Sequence, residues 1–153
     1  MNVAYVNVFL KGSSNVLSQF GVEFNSGKPF LKGNKELNGR IIVLIGTTGQ
    51  LKGQVIFNLD EETALKIVSS MMGGVEVATF DDVSKSALSE LANMILGNTA
   101  TAFFDDGISI DITTPSVLMG DNMTNTVQTP TLTVPMELNF GGKMELDISI
   151  KKE

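Results

Sequence analysis

The sequence predicts an α/β domain of the α+β type, two layers deep, with amphipathic helices packed on a largely antiparallel sheet. Three observations carry this. Three segments repeat apolar residues at the three- and four-residue spacing of one buried helical face. Several others alternate apolar and polar residues with the period of two of a half-buried strand, and two β-branched runs flank a glycine-bearing turn, as in a hairpin. The 153 residues hold no linker, low-complexity tract or close internal repeat, so residues 1–153 are read as a single domain.

Val6, Phe9, Leu10, Ser13, Val16, Leu17 and Phe20 define a first helix from about Asn2 to Gln19, ended before Gly21. The stretch "FNSGKPF" then supplies a turn. "RIIVLIGTTGQLKGQVIFNL", Arg40 to Leu59, reads as an antiparallel hairpin. "DEETALKIVSSMMGG" opens with carboxylates suited to a helix N-terminus and closes on a glycine pair, which gives a short helix with Ala64, Leu65, Ile67, Val68, Met71 and Met72 apolar. Asp81 or Asp82 caps a third helix, with Phe80 just outside it, and the helix runs to about Phe104, where Asp105, Asp106 and Gly107 break it. This acidic pair reads as a turn rather than a metal site. Met71, Met72 and Met94 read as core filling. Three alternating segments follow: Ile108, Ile110 and Ile112 in "GISIDITTPSVLMG"; Leu132, Val134, Met136 and Leu138; then Met144, Leu146, Ile148 and Ile150. The long terminal strands are expected to leave a sheet edge that a second copy would cover.

Composition removes whole classes of function. Net charge is −6 with scattered lysines, so no basic stripe exists to hold phosphodiesters and nucleic acid is not an expected partner. No apolar run reaches the ~18 residues of a membrane span. The start "MNVAYVNVFLKGSSN" lacks the pattern of a signal peptide, and cysteine is absent, so a cytoplasmic setting is expected. With no histidine and no cysteine, a Ser-His-Asp triad, a thiolate nucleophile and an ordinary zinc site are all excluded. "GTTGQLKG" at Gly46 to Gly53 lacks the ending of a phosphate-binding P-loop and reads as part of the hairpin.

One feature of the third helix is not explained by burial. In "KSALSELANMILGN", Ala87, Leu88, Leu91, Met94 and Ile95 form the apolar face, while Ser86, Glu90, Asn93 and Gly97 fall within about 60° of one another on a second stripe. Asparagine competes for backbone groups and favours caps and turns, yet Asn93 sits mid-helix. Taken alone, Glu90 and Asn93 read as a solvated face.

The flanking residues change that reading. "SALSELANMILGNTATAF" resembles the signature helix of the CheC/CheX/FliY family of bacterial chemotaxis phosphatases: Asp or Ser, three residues, Glu, two residues, Asn, then a proline about twenty residues on. Ser86, Glu90, Asn93 and Pro115 fill it. "YVNVFLKGSSNVLSQFGVEFNSGKP" and "IIVLIGTTGQLKGQVIFNLDEETALKIVSSMMG" are similar to the family's opening helix and to its central hairpin and short helix, so the likeness spans essentially the whole chain. The single Glu-x-x-Asn places it nearest the CheX type.

The resemblance implies a CheC-like fold and a phosphatase that removes the aspartyl phosphate of a CheY-like response-regulator receiver. It implies Asn93 as the group that positions the attacking water and Glu90 as the group that docks on the receiver's lysine. Ser86, Gly97 and Pro115 are implied as weaker partner contacts. The chain would carry no cofactor of its own, Mg²⁺ would arrive with the phosphorylated receiver, and a homodimer would form through strand pairing. A non-catalytic receiver-binding module, like domains of the flagellar motor switch, is the alternative.

Overall fold

The computed structural model describes residues 3–152. Helix α1 (Val3–Leu17) buries Val6, Phe9, Gly12, Ser13, Val16 and Leu17, the face its spacing predicts, and continues into a 3₁₀ turn at Ser18–Phe20. Asn2, the expected first helical residue, lies outside the described residues. Gly21 ends the turn with φ of +75°, the left-handed backbone that favours glycine.

Among the described residues, eight strands build one sheet: β1 (Phe24–Ser26), β2 (Phe30–Leu31), β3 (Ile41–Gly49), β4 (Leu51–Leu59), β5 (Ile110–Ile112), β6 (Ser116–Met119), β7 (Leu132–Leu138) and β8 (Lys143–Lys152). Their order is β1-β7-β8-β4-β3-β5, with β2 also on β7 and β6 also on β3, and every pairing is antiparallel. The predicted hairpin is present, with Val43 opposite Phe57 and Ile45 opposite Val55. Helices α2 (Glu61–Met71) and α3 (Asp82–Asp105) join α1 in the core. Strand residues Ile41, Val43, Ile45, Val55, Phe57, Val134, Met136, Leu146 and Ile148 form the sheet side of that core.

The opposite sheet face is partly covered as well. Ile42 and Ile56 pack there with Leu37, with Leu44 and Met123 against them. Beside this cluster, Lys32 pairs with the buried Asp147 at 3.2 Å, and the Thr133 hydroxyl donates to the same carboxylate at 2.7 Å. The helix-on-sheet pair therefore carries a third, thin cover of loop.

Four expectations need correction. The long strands β7 and β8 are interior over most of their length and the outer strands are the short pieces β1–β2 and β5–β6; the expected free edge is confined to the end of β8, where residues 149–152 pair with β4 alone. "FNSGKPF" is more than a turn: β1 and β2 both pair with β7 as one edge strand interrupted at Gly27 to Pro29. Pro135 explains the break, because it has no N–H to offer that neighbour; its carbonyl accepts the Gly27 N–H at 2.8 Å. "GISIDITTPSVLMG" likewise splits into β5 and β6: at the break the Thr113 N–H still donates to the Gly46 carbonyl at 2.9 Å, but its hydroxyl rather than its carbonyl accepts the Gly46 N–H, at 2.8 Å. Met72 is 37% exposed rather than core; it caps the C-terminus of α2.

Candidate functional site

Helix α3 is held at both ends and along one side. Asp81 caps it: the carboxylate accepts the Ser84 N–H at 3.0 Å and the Ser84 hydroxyl at 3.1 Å, and these bonds, the backbone one foremost, hold its carboxyl below the usual carboxylate range. Phe80, just before the cap, turns into the core. At the far end Gly107, with φ of +82°, lets its N–H reach the Phe104 carbonyl at 2.9 Å, while Ile108 bonds back to Phe103. Asp105 and Asp106 thus end the helix, and among the described residues no three carboxylates gather to hold a metal ion.

Along its length α3 buries Ser84, Leu88, Leu91, Ala92, Ile95, Leu96, Thr99 and Phe103. Against α1 the approach is close: a Cβ on Gly12 would run into the Thr99 hydroxyl, itself bonded to the Ile95 carbonyl at 2.8 Å. Phe103 meets Phe9 and Tyr5 edge to face, with centroids 5.5 and 5.7 Å apart. Asn15 donates to Asn98 at 3.2 Å across the same seam. A helix fixed by this many contacts offers its other side as a rigid platform.

That side carries the second stripe. Ser86, Glu90 and Asn93 are exposed and Gly97 is half-buried. Glu90 and Asn93 have no side-chain partner among the described residues, so both present their full hydrogen-bonding capacity outward. Gly97 differs from Gly12, because a Cβ built on it meets nothing within 4 Å. The fold does not require a glycine there, although glycine inside a helix costs about 1 kcal/mol relative to alanine. Pro115 is not on the stripe; it lies half-buried in the break between β5 and β6, on the sheet edge that α3 contacts.

Two residues of this face were not singled out from the sequence. Val83 and Phe104, 59% and 70% exposed, fall on the same side of α3 as Glu90. Continuing the 100° count past Gly97 reaches Phe104. The stripe lies outside the two largest hollows described: a cleft of about 570 Å³ and a groove of about 960 Å³ are lined by residues elsewhere, Asn58 and Lys143 in the first and Tyr5 and Leu132 in the second. No helix among the described residues is long and apolar enough to cross a membrane.

An α+β domain that displays a carboxylate, a carboxamide and a bare glycine on the exposed side of a well-anchored helix offers them to a macromolecular surface rather than enclosing a small molecule. The comparisons agree with that class. The model of the family described as chemotaxis phosphatase CheX matches residues 41–137. The CheY-P phosphatase CheX of Thermotoga maritima is 34% identical over 131 residues, covering 86% of this chain and 84% of that protein. A CheC-like superfamily protein from a Shewanella species superposes with a TM-score of 0.88 at 30% identity, covering 99% of both chains. The CheX in a CheX–CheY–BeF₃–Mg²⁺ complex from Borrelia burgdorferi superposes with a TM-score of 0.81 at 32% identity, covering 97% of this chain and 98% of that one. The chain belongs to the CheX family of chemotaxis phosphatases.

Proposed function

We propose that this protein dephosphorylates a CheY-like receiver by laying α3 across the receiver's phosphorylation site, with Asn93 positioning water and Glu90 docking on the receiver's lysine. The observation that carries the reading is the pairing of an unpartnered carboxylate and an unpartnered carboxamide one turn apart, on the exposed side of a helix whose other side is locked into the core. The solved complex of a 32%-identical CheX with CheY, BeF₃ and Mg²⁺ supports the partner.

The chemistry asked of this chain is small. An aspartyl phosphate is a mixed anhydride: water oxygen bonds to phosphorus, the bond from phosphorus to the aspartate oxygen breaks, and inorganic phosphate leaves the restored carboxylate. The receiver brings its own Mg²⁺ and lysine, so the missing element is a water held in line. The Asn93 amide does this without charge, accepting through its oxygen or donating through nitrogen. Glu90, an anion one turn earlier, pairs with the receiver's lysine and sets the register of the helix. In this reading Mg²⁺ dependence belongs to the receiver, in keeping with the lack of a cluster of three carboxylates among the described residues.

The test mixes the protein with phosphorylated CheY-like receivers of the same genome and follows loss of phosphate. The expected result is accelerated loss with at least one receiver, at Mg²⁺ concentrations that saturate that receiver, and weaker binding of the Glu90→Lys variant. Asp105→Asn with Asp106→Asn leaves the Mg²⁺ dependence unchanged. No acceleration with any of the receivers would overturn the reading.

A further inference from the structure

We infer that the receiver's footprint extends beyond Glu90 and Asn93 toward the C-terminus of α3. There the bare backbone at Gly97 gives clearance for a receiver loop, and Phe104 inserts into an apolar patch of the receiver. The inference rests on the reading of the Glu90–Asn93 stripe given above and adds to it the contacts that select the partner.

Three observations meet here. Gly97 has open space where its Cβ would stand, so no contact among the described residues explains the glycine; a surface that must approach the helix from outside does. Phe104 is 70% exposed while its neighbour Phe103 is buried, so the helix end presents one ring inward and one ring outward. Ser86 and Phe104 are 18 residues apart, about five whole turns, which returns Phe104 to the side of the helix that carries Glu90, Asn93 and Gly97.

The reach also fits. At ~1.5 Å per residue Gly97 lies about 6 Å and Phe104 about 16 Å beyond Asn93, and a small domain about 30 Å across, centred on Asn93, extends about 15 Å along the helix. Phe104 therefore meets the rim of such a domain. A single exposed phenylalanine is unremarkable by itself, but an aromatic side chain in line with a docking stripe is the type that dominates interface energetics. Asp105 and Asp106 beside it give the ring an acidic border, so the matching receiver patch is apolar with basic residues around it. Val83, at the other end of the stripe, is smaller and has no cleared backbone next to it, so the selective contacts fall on the C-terminal half.

The experiment measures Kd for the BeF₃- and Mg²⁺-loaded receiver, KM and kcat with the phosphorylated receiver, and the thermal midpoint. Phe104→Ser is expected to weaken binding about tenfold, with the loss appearing in KM. Gly97→Ala is expected to weaken binding at least about fivefold. The same substitution should raise the midpoint by roughly 2–4 °C, because alanine is the better helix former and meets no clash inside the fold. A variant that is more stable and yet binds worse has no purely structural explanation. If both variants bind as the parent does while Asn93→Ala loses turnover, the C-terminal footprint is wrong and the stripe reading survives. If Asn93→Ala keeps full turnover while Phe104→Ser and Gly97→Ala bind poorly, the footprint stands and the assignment of Asn93 falls.

Discussion

Gly12 and Gly97 lie on two helices of one fold, and comparing them shows what a single residue can reveal. Gly12 is a packing residue: any side chain there collides with Thr99 and presses on the Ile95 carbonyl. Gly12→Ala should therefore destabilise the protein by about 1–3 kcal/mol, read as a lower urea midpoint, and Thr99→Ala in the same chain should recover part of the loss by removing the colliding hydroxyl. Equal and additive losses in the two single variants and the double would contradict the packing. None of this was legible beforehand, because a glycine inside an apolar helical repeat looks the same whether a neighbour or a solvent-side partner needs it. Helical spacing put Glu90 and Asn93 off the apolar face, and their exposure without partners agrees with that; what set them apart from a merely solvated face was the likeness of the flanking residues to the family's signature helix.

Among the elements, the helices and long strands follow the sequence periodicity closely, since each must bury one face along many residues. α3 spans Asp82–Asp105 with Asp81 as its cap, one of the two aspartates that cap chemistry allows. β1 and β2 escaped, and the segment holding β5 and β6 was read as one strand, because pieces of two to four residues show too few alternations to reveal their ends, and their pairing is decided by the strand they lie against. Pro135 illustrates this: it sits in β7, and its effect is to break β1–β2. The Asp81 cap gives a prediction with a sign. Its folded carboxyl titrates below the ordinary value of 3.8, so its contribution to stability is present above that pH and is lost as the pH falls through the lowered value. Asp81→Asn keeps the cap but removes the titration. Between pH 5 and about pH 2 the parent should lose more stability than Asp81→Asn, after both are followed by helical circular dichroism in urea. Parallel losses would exclude the cap as a pH-dependent element.

For the whole molecule, helices on one sheet face and loops on the other leave one side of α3 exposed, and the Lys32–Asp147 pair ties the loop after β2 onto the sheet. With side-chain exposures of 11% and 1%, this pair is removed from water on both sides. Lys32→Met leaves Asp147 buried with only the Thr133 hydroxyl donating to it through a side chain, and is expected to destabilise by about 3–5 kcal/mol. Lys32→Met with Asp147→Leu should recover most of that loss, and a double variant as unstable as the single one would assign the pair a different role. Neither substitution lies on the exposed side of α3, so the protein's action is tested separately, and most directly at one atom group. In a stopped-flow comparison with a receiver the parent protein acts on, Asn93→Ala should lower kcat about a hundredfold or more, because the amide orients water in the transition state. The same variant should hold the BeF₃- and Mg²⁺-loaded receiver with a Kd within about threefold of the parent, since the amide contributes little to ground-state docking. An Asn93→Ala protein that turns over phosphorylated receiver at the parental rate would contradict the account at its centre.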